Sequence, residues 1–129
     1  MNKMLRNHVL PMAMLVSLTA CQELPVQNIN HAPIHMSEHN YGLGEVQRDI
    51  VTAGTNLGWQ MRTVKPGLID ATLYSEEHMA QVQISYSTSQ YSIQYLNSQN
   101  MNYSSKGPGT EKIYEDYNVW VQDLDKAIR

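Results

Sequence analysis

Two periods alternate along this chain. Val46, Ile50, Ala53 and Leu57 recur at helical spacing, which predicts a helix over residues 43–57. Gly54 weakens that helix from inside, and Gly58 stands where a helix-ending glycine belongs. Beyond Gly58 the period drops to two. Trp59, Met61 and Thr63 alternate with Gln60 and Arg62, and Ile69, Ala71 and Leu73 alternate with Asp70 and Thr72. Ala80, Val82, Ile84 and Tyr86 alternate with Gln81, Gln83 and Ser85, and Tyr91, Ile93 and Tyr95 alternate with Ser92 and Gln94. Four strands, each with one apolar side, predict an antiparallel meander with one buried face.

The loops supply a test, because a slip of one residue would turn a strand's apolar set outward. A loop over 87–90 pairs Tyr86 with Tyr91, Ile84 with Ile93 and Val82 with Tyr95. A loop over 75–78 pairs Leu73 with Ala80, Ala71 with Val82 and Ile69 with Ile84. If Lys65-Pro66-Gly67 acts as a three-residue loop, Thr63 meets Ile69, Met61 meets Ala71 and Trp59 meets Leu73. One register then serves all three hairpins. It sets Arg62 opposite Asp70 on the outer face, where a weak, exposed ion pair is expected.

Residues 97–110 form a loop, with Met101 and Tyr103 as a short edge segment. Ile113, Tyr117, Trp120, Val121, Leu124 and Ile128 then make the clearest helical stripe in the chain. It predicts a second helix over 111–128, with Thr110 as N-cap and Glu115 and Asp116 near its positive end. The expected fold is α+β in two layers, with element order α-β-β-β-β-α and both helices on the apolar face of one four-stranded sheet.

The first forty residues follow neither period. Residues 1–8 carry Lys3 and Arg6 and no acid, and residues 9–20 carry no charge. A basic start and a short apolar run form the pattern of an export signal, and the run is shorter than the ~20 residues a spanning helix needs. Residues 22–42 hold two prolines, three asparagines and isolated apolar residues, so 21–42 is expected to be a flexible tether. The small domain then occupies 43–129.

Charge narrows the partners. Residues 21–129 keep seven basic and all twelve acidic residues, a net charge of −5 with His neutral, which argues against nucleic acid. Catalytic candidates are few. His78 lies in a turn beside Glu76 and Glu77, two adjacent acids that strand geometry would point apart. Residues 106–110, KGPGT, lack the remainder of a phosphate loop. No enzyme activity and no cofactor are expected. His31, His35 and His39 are spaced for a metal site on a helix face, but Pro33 interrupts any helix there, so a solvated linker is the better expectation. The outer sheet face is polar yet nearly uncharged, with Gln81, Gln83, Ser85, Ser92 and Gln94 on it and Tyr74, Met79 and Leu96 at its margins. Such a face is either plain solvent surface or a site for a glycan, a peptide or a partner protein. The first or fourth predicted strand could also accept an added strand.

The chain has one cysteine, Cys21, directly after Leu18-Thr19-Ala20. That stretch, an aliphatic residue and two small ones before a cysteine, resembles the lipobox of bacterial lipoproteins. The resemblance implies cleavage before Cys21, a lipid on its thiol and an acyl chain on its new amine. Two or more acyl chains anchor a protein stably. Gln22, where aspartate would resemble an inner-membrane signal, implies anchoring in the outer membrane, facing the periplasm. The stretches LGWQM, PGLIDATL, AQVQISYS, YSIQYLNSQNMNY and YNVWVQDLDKAI also resemble a group of small Gram-negative envelope lipoproteins. Trp59, Pro66-Gly67, Tyr95, Ser98, Tyr103 and Asn118–Trp120 are the firmest points. That resemblance carries no activity, and Glu115 and Asp116 depart from the basic or polar residues common there. Together these features lead to the expectation of a lipid-anchored envelope module, or alternatively a metal or small-ligand carrier using His31, His35 and His39.

Overall fold

The computed structural model describes residues 22–35 and 42–129. Its helices are α1 (Leu43–Asn56) and α2 (Glu115–Ile128). Its strands are β1 (Glu23–Pro25), β2 (Ile29–Pro33), β3 (Gln60–Lys65), β4 (Leu68–Ser75), β5 (His78–Tyr86), β6 (Gln90–Gln99) and β7 (Lys112–Tyr114). The protein is α+β. A five-stranded antiparallel sheet runs β2-β6-β5-β4-β3, and β1 and β7 form a separate two-stranded sheet.

Alternation sets the register of the meander. Ile69 faces Ile84, Ala71 faces Val82 and Leu73 faces Ala80. Ile84 faces Ile93, Tyr86 faces Tyr91 and Val82 faces Tyr95, while Thr63 and Met61 face Ile69 and Ala71. Every one of these pairs is the expected one. The first turn reaches its register by another device. Lys65 pairs with Leu68, so the loop is only Pro66-Gly67, and the register shift between Thr63 and Lys65 leaves Val64 as a bulge. Gly67 takes φ +89, the conformation a Pro-Gly turn asks of its second residue. A second bulge falls between Gln81 and Val82, whose partners on β6 are Asn97 and Tyr95. It lets Tyr95 and Ser98 share the inner face.

Both helices cover that inner face. Ile69, Ala71, Ala80, Val82, Ile84 and Ile93 are fully buried against Val46 and Ile50 of α1 and Tyr117, Val121 and Leu124 of α2. Helix α1 ends in a six-residue reversal: Gly58, at φ +94, donates to Thr55 O and Trp59 donates to Gly54 O. Gly54, in the last turn of α1, leaves room for Met61; a Cβ there would lie 2.3 Å from Met61 Sδ.

Several expectations require correction. The sheet has five strands, because much of the segment expected as a tether is folded. β2 pairs with β6, and Val26 N donates to Glu111 O at 3.0 Å. The reason lies at long range. Asn118 is 8% exposed; its amide donates to Pro25 O and accepts from Gln27 N, each at 2.9 Å. No local period in 22–35 announces that clasp. The second helix also begins four residues late. Residues 112–114 are strand β7, Tyr114 rather than Thr110 is the N-cap, and Thr110 Oγ1 instead bonds Gly107 O and Lys106 N. Ile113 is buried as expected, but from a strand; its four-residue spacing to Tyr117 imitates a helix. Met101, expected at an edge, is buried in the core.

Candidate binding face

The outer face of the five-stranded sheet lies opposite the helices, and three cross-strand rows define it. One row is Arg62–Asp70–Gln83–Gln94, the next Gln60–Thr72–Gln81–Asn97, and the third Leu68–Ser85–Ser92. All five residues expected on a binding face are therefore on one side, on adjacent strands about 4.8 Å apart. Ser85 and Gln94 are exposed, Gln81 and Gln83 half-buried and Ser92 buried. Gln81 Nε2 donates to Thr72 Oγ1 at 3.1 Å. The charges lie along the β3–β4 margin. Arg62 pairs with Asp70 at 3.0 Å, with the arginine largely in solvent, so the pair adds little stability. The other carboxylate oxygen, Asp70 Oδ1, is buried without a protein partner. Tyr74 is 60% exposed and Leu96 40% at the face's apolar margin, whereas Met79 is buried there.

At one end this face opens into a hollow of about 230 Å³ lined by His31, Ser85, Gln90 and Ser92, with Gly67 and Tyr86 beside them. His31 reaches it because β2 bulges between Ile29 and Ala32, putting His31 at φ +55. Its backbone N–H donates to Ser92 Oγ at 3.0 Å, and Gln90 Nε2 lies 3.2 Å from its Nδ1. From sequence, His31 belongs with His35 and His39. In the fold it joins the predicted face, a link that only β2–β6 pairing creates. His35 lines a separate pocket of about 210 Å³ with Asp49, Ile50, Ile128 and Arg129. His39 and the Leu18–Cys21 lipobox lie outside the described residues. Among the described residues, no group of three His, Cys, Asp or Glu is placed to hold a metal ion. No described helix is long and apolar enough to cross a membrane.

A tyrosine cluster lies at the other end of the sheet, on its inner side; the sequence singles out Tyr95 and Tyr103 but does not bring them together. Tyr95 and Tyr103 stack at 4.2 Å between ring centroids, and Tyr117 meets Tyr95 edge-on at 5.7 Å. Burial, with the neighbouring Tyr95 and Tyr103, pushes the Tyr117 hydroxyl above the usual phenol range, and that hydroxyl has no protein partner. A depression of about 320 Å³ runs from this cluster to Gln94, lined also by Asn28 and Glu111. No period in the sequence pairs them, since residue 103 meets residue 95 only through the 100–104 loop.

No family model, curated protein or solved structure matches this chain.

Proposed function

We propose that this protein is a non-catalytic, lipid-anchored binding module of the bacterial cell envelope. Cys21 is its acylated first residue, on the periplasmic side of the outer membrane. Its ligand is a neutral, hydroxyl- and amide-bearing envelope component such as a glycan strand, held along the outer sheet face. One observation carries the binding part: five amides, three hydroxyls and the His31 ring share one face of the sheet, whose charges are confined to one margin. Side-chain amides donate and accept at once, which suits sugar hydroxyls and acetamido groups. A face whose arginine, Arg62, is already paired with Asp70 offers little to phosphate-rich ligands. The anchoring part rests on the lipobox resemblance.

Co-sedimentation with isolated cell-wall glycan tests the binding. The wild-type protein is expected to sediment with the glycan. The Gln83→Arg/Gln94→Arg double variant should stay in solution while keeping its circular dichroism spectrum. Wild-type protein that stays in solution, or a double variant that still sediments, would refute the binding face. The carrier alternative gains no support from the geometry of His31 and His35, which line different hollows.

A further inference from the structure

If Cys21 carries the lipid, as proposed above, the bonds made by Gln22 and Glu23 have a mechanical consequence. Gln22 O accepts a hydrogen bond from Glu115 N at 3.0 Å, and Glu23 pairs with Tyr114. The fold therefore takes hold one residue after the acylated cysteine. Two extended residues reach about 7 Å, whereas a flexible 21-residue tether would give a root-mean-square reach of about 25 Å.

We infer that the end of the domain built from β1, β7 and the start of α2 is held directly against the phospholipid headgroups, so that the domain stands in a fixed orientation. Asn102 bonds the Glu23 carboxylate and brings the 100–104 loop to this end, with the 39%-exposed Tyr103 next to it. A tyrosine ring with a polar tip suits the membrane–water boundary. Glu23, Glu115 and Asp116 are exposed here together with Lys112 of β7, which leaves this end net acidic. On so short a leash they sit within the ~8 Å over which salt leaves charges unscreened. The surface that fits them is zwitterionic, with ammonium groups at the headgroup level, and an anionic one repels them. The β5–β6 turn lies at the opposite end of the sheet, since Ser89 O meets Ile34 N while Asn28 meets Tyr95 six residues away along β6.

The test uses purified, acylated full-length protein in vesicles, its lipid confirmed by intact mass. A fluorophore is placed on Asp116→Cys or on Thr88→Cys; with Cys21 acylated, the introduced thiol is the only one to label. Headgroup-attached nitroxide lipid quenches by proximity. Asp116→Cys should be quenched severalfold more than Thr88→Cys in phosphatidylethanolamine–phosphatidylcholine vesicles, and less in phosphatidylglycerol-rich ones at low salt. A Gly-Ser insert of about ten residues between Gln22 and Glu23, with a reach of ~18 Å, should bring the two labels together. Equal quenching of both labels without the insert, or stronger quenching of Asp116→Cys on the anionic vesicles, overturns the inference. A protein that carries no acyl mass and stays off the vesicles overturns the lipoprotein reading instead.

Discussion

Replacing Asn118 with alanine should loosen the N-terminal segment from the rest of the fold. The side chain makes two bonds, to Pro25 O and from Gln27 N, both 2.9 Å and both across more than ninety residues of chain. Alanine removes both and leaves a carbonyl and an amide without partners in a half-buried seam. Each orphaned group costs ~1–3 kcal/mol. Partial burial puts both at the lower end, so the loss is about 2–3 kcal/mol in total. Small domains hold ~5–15 kcal/mol, so the loss is a large fraction. With a urea slope of ~1–3 kcal/mol/M, the midpoint should fall by about 0.7–3 M. Hydrogen exchange locates the damage. Residues 22–33 should exchange faster in the variant under native conditions, while β4 and β5 keep their protection. A loss below ~1 kcal/mol would refute the idea that Asn118 clasps this segment, given what orphaned groups cost. So would unchanged exchange across 22–33.

Three further substitutions probe separate parts of the account. Tyr117→Phe removes a buried hydroxyl with no protein partner and should leave stability unchanged or raise it by up to ~1 kcal/mol in chemical denaturation; a loss above that would reveal a hidden bond. Burial first, and the 2.5 Å bond to Asp125 second, raise the Tyr91 hydroxyl well above an ordinary phenol. The fold therefore holds that proton after the unfolded chain has released it near pH 10, so this stabilisation is full below about pH 10 and drains away as pH rises. Tyr91→Phe should be less stable at neutral pH and lose less on titration to alkali; an unchanged alkaline slope would contradict the assignment. Gly67→Ala should cost ~1–2 kcal/mol in urea melts, because φ is +89 and the new Cβ would lie 3.2 Å from Tyr86 O. A neutral result would show that the Pro66-Gly67 turn relaxes freely.

The parts of this fold legible in sequence are those whose information is local. Alternation from Met61 to Tyr95 specifies pairing because neighbouring hairpins must agree on one buried side, and Arg62 meets Asp70 for the same reason. Gly58 and the start of α1 follow from spacing and a helix stop. What stayed hidden depends on partners far away. Strands β1 and β2 contain Pro25 and Pro33 and show no alternation; they exist because Asn118, Glu111 and β6 offer them bonds. Proline is tolerated in them because β2 is an edge strand and β1 belongs to a two-stranded sheet. The candidate face was half visible. Its glutamines and serines could be placed from period two, but His31 joins Ser85 and Ser92 only once β2 has docked on β6. The stacking of Tyr103 on Tyr95 was invisible in the same way, since a loop residue's stacking partner has no period.

The most direct measurement is the mass of the N-terminal peptide from protein extracted out of its native membranes. The account predicts a chain beginning at Cys21 that carries both the thioether-linked diacylglycerol and an amide-linked acyl chain. A chain that still begins at Met1, or one whose Cys21 is a free thiol, would contradict it.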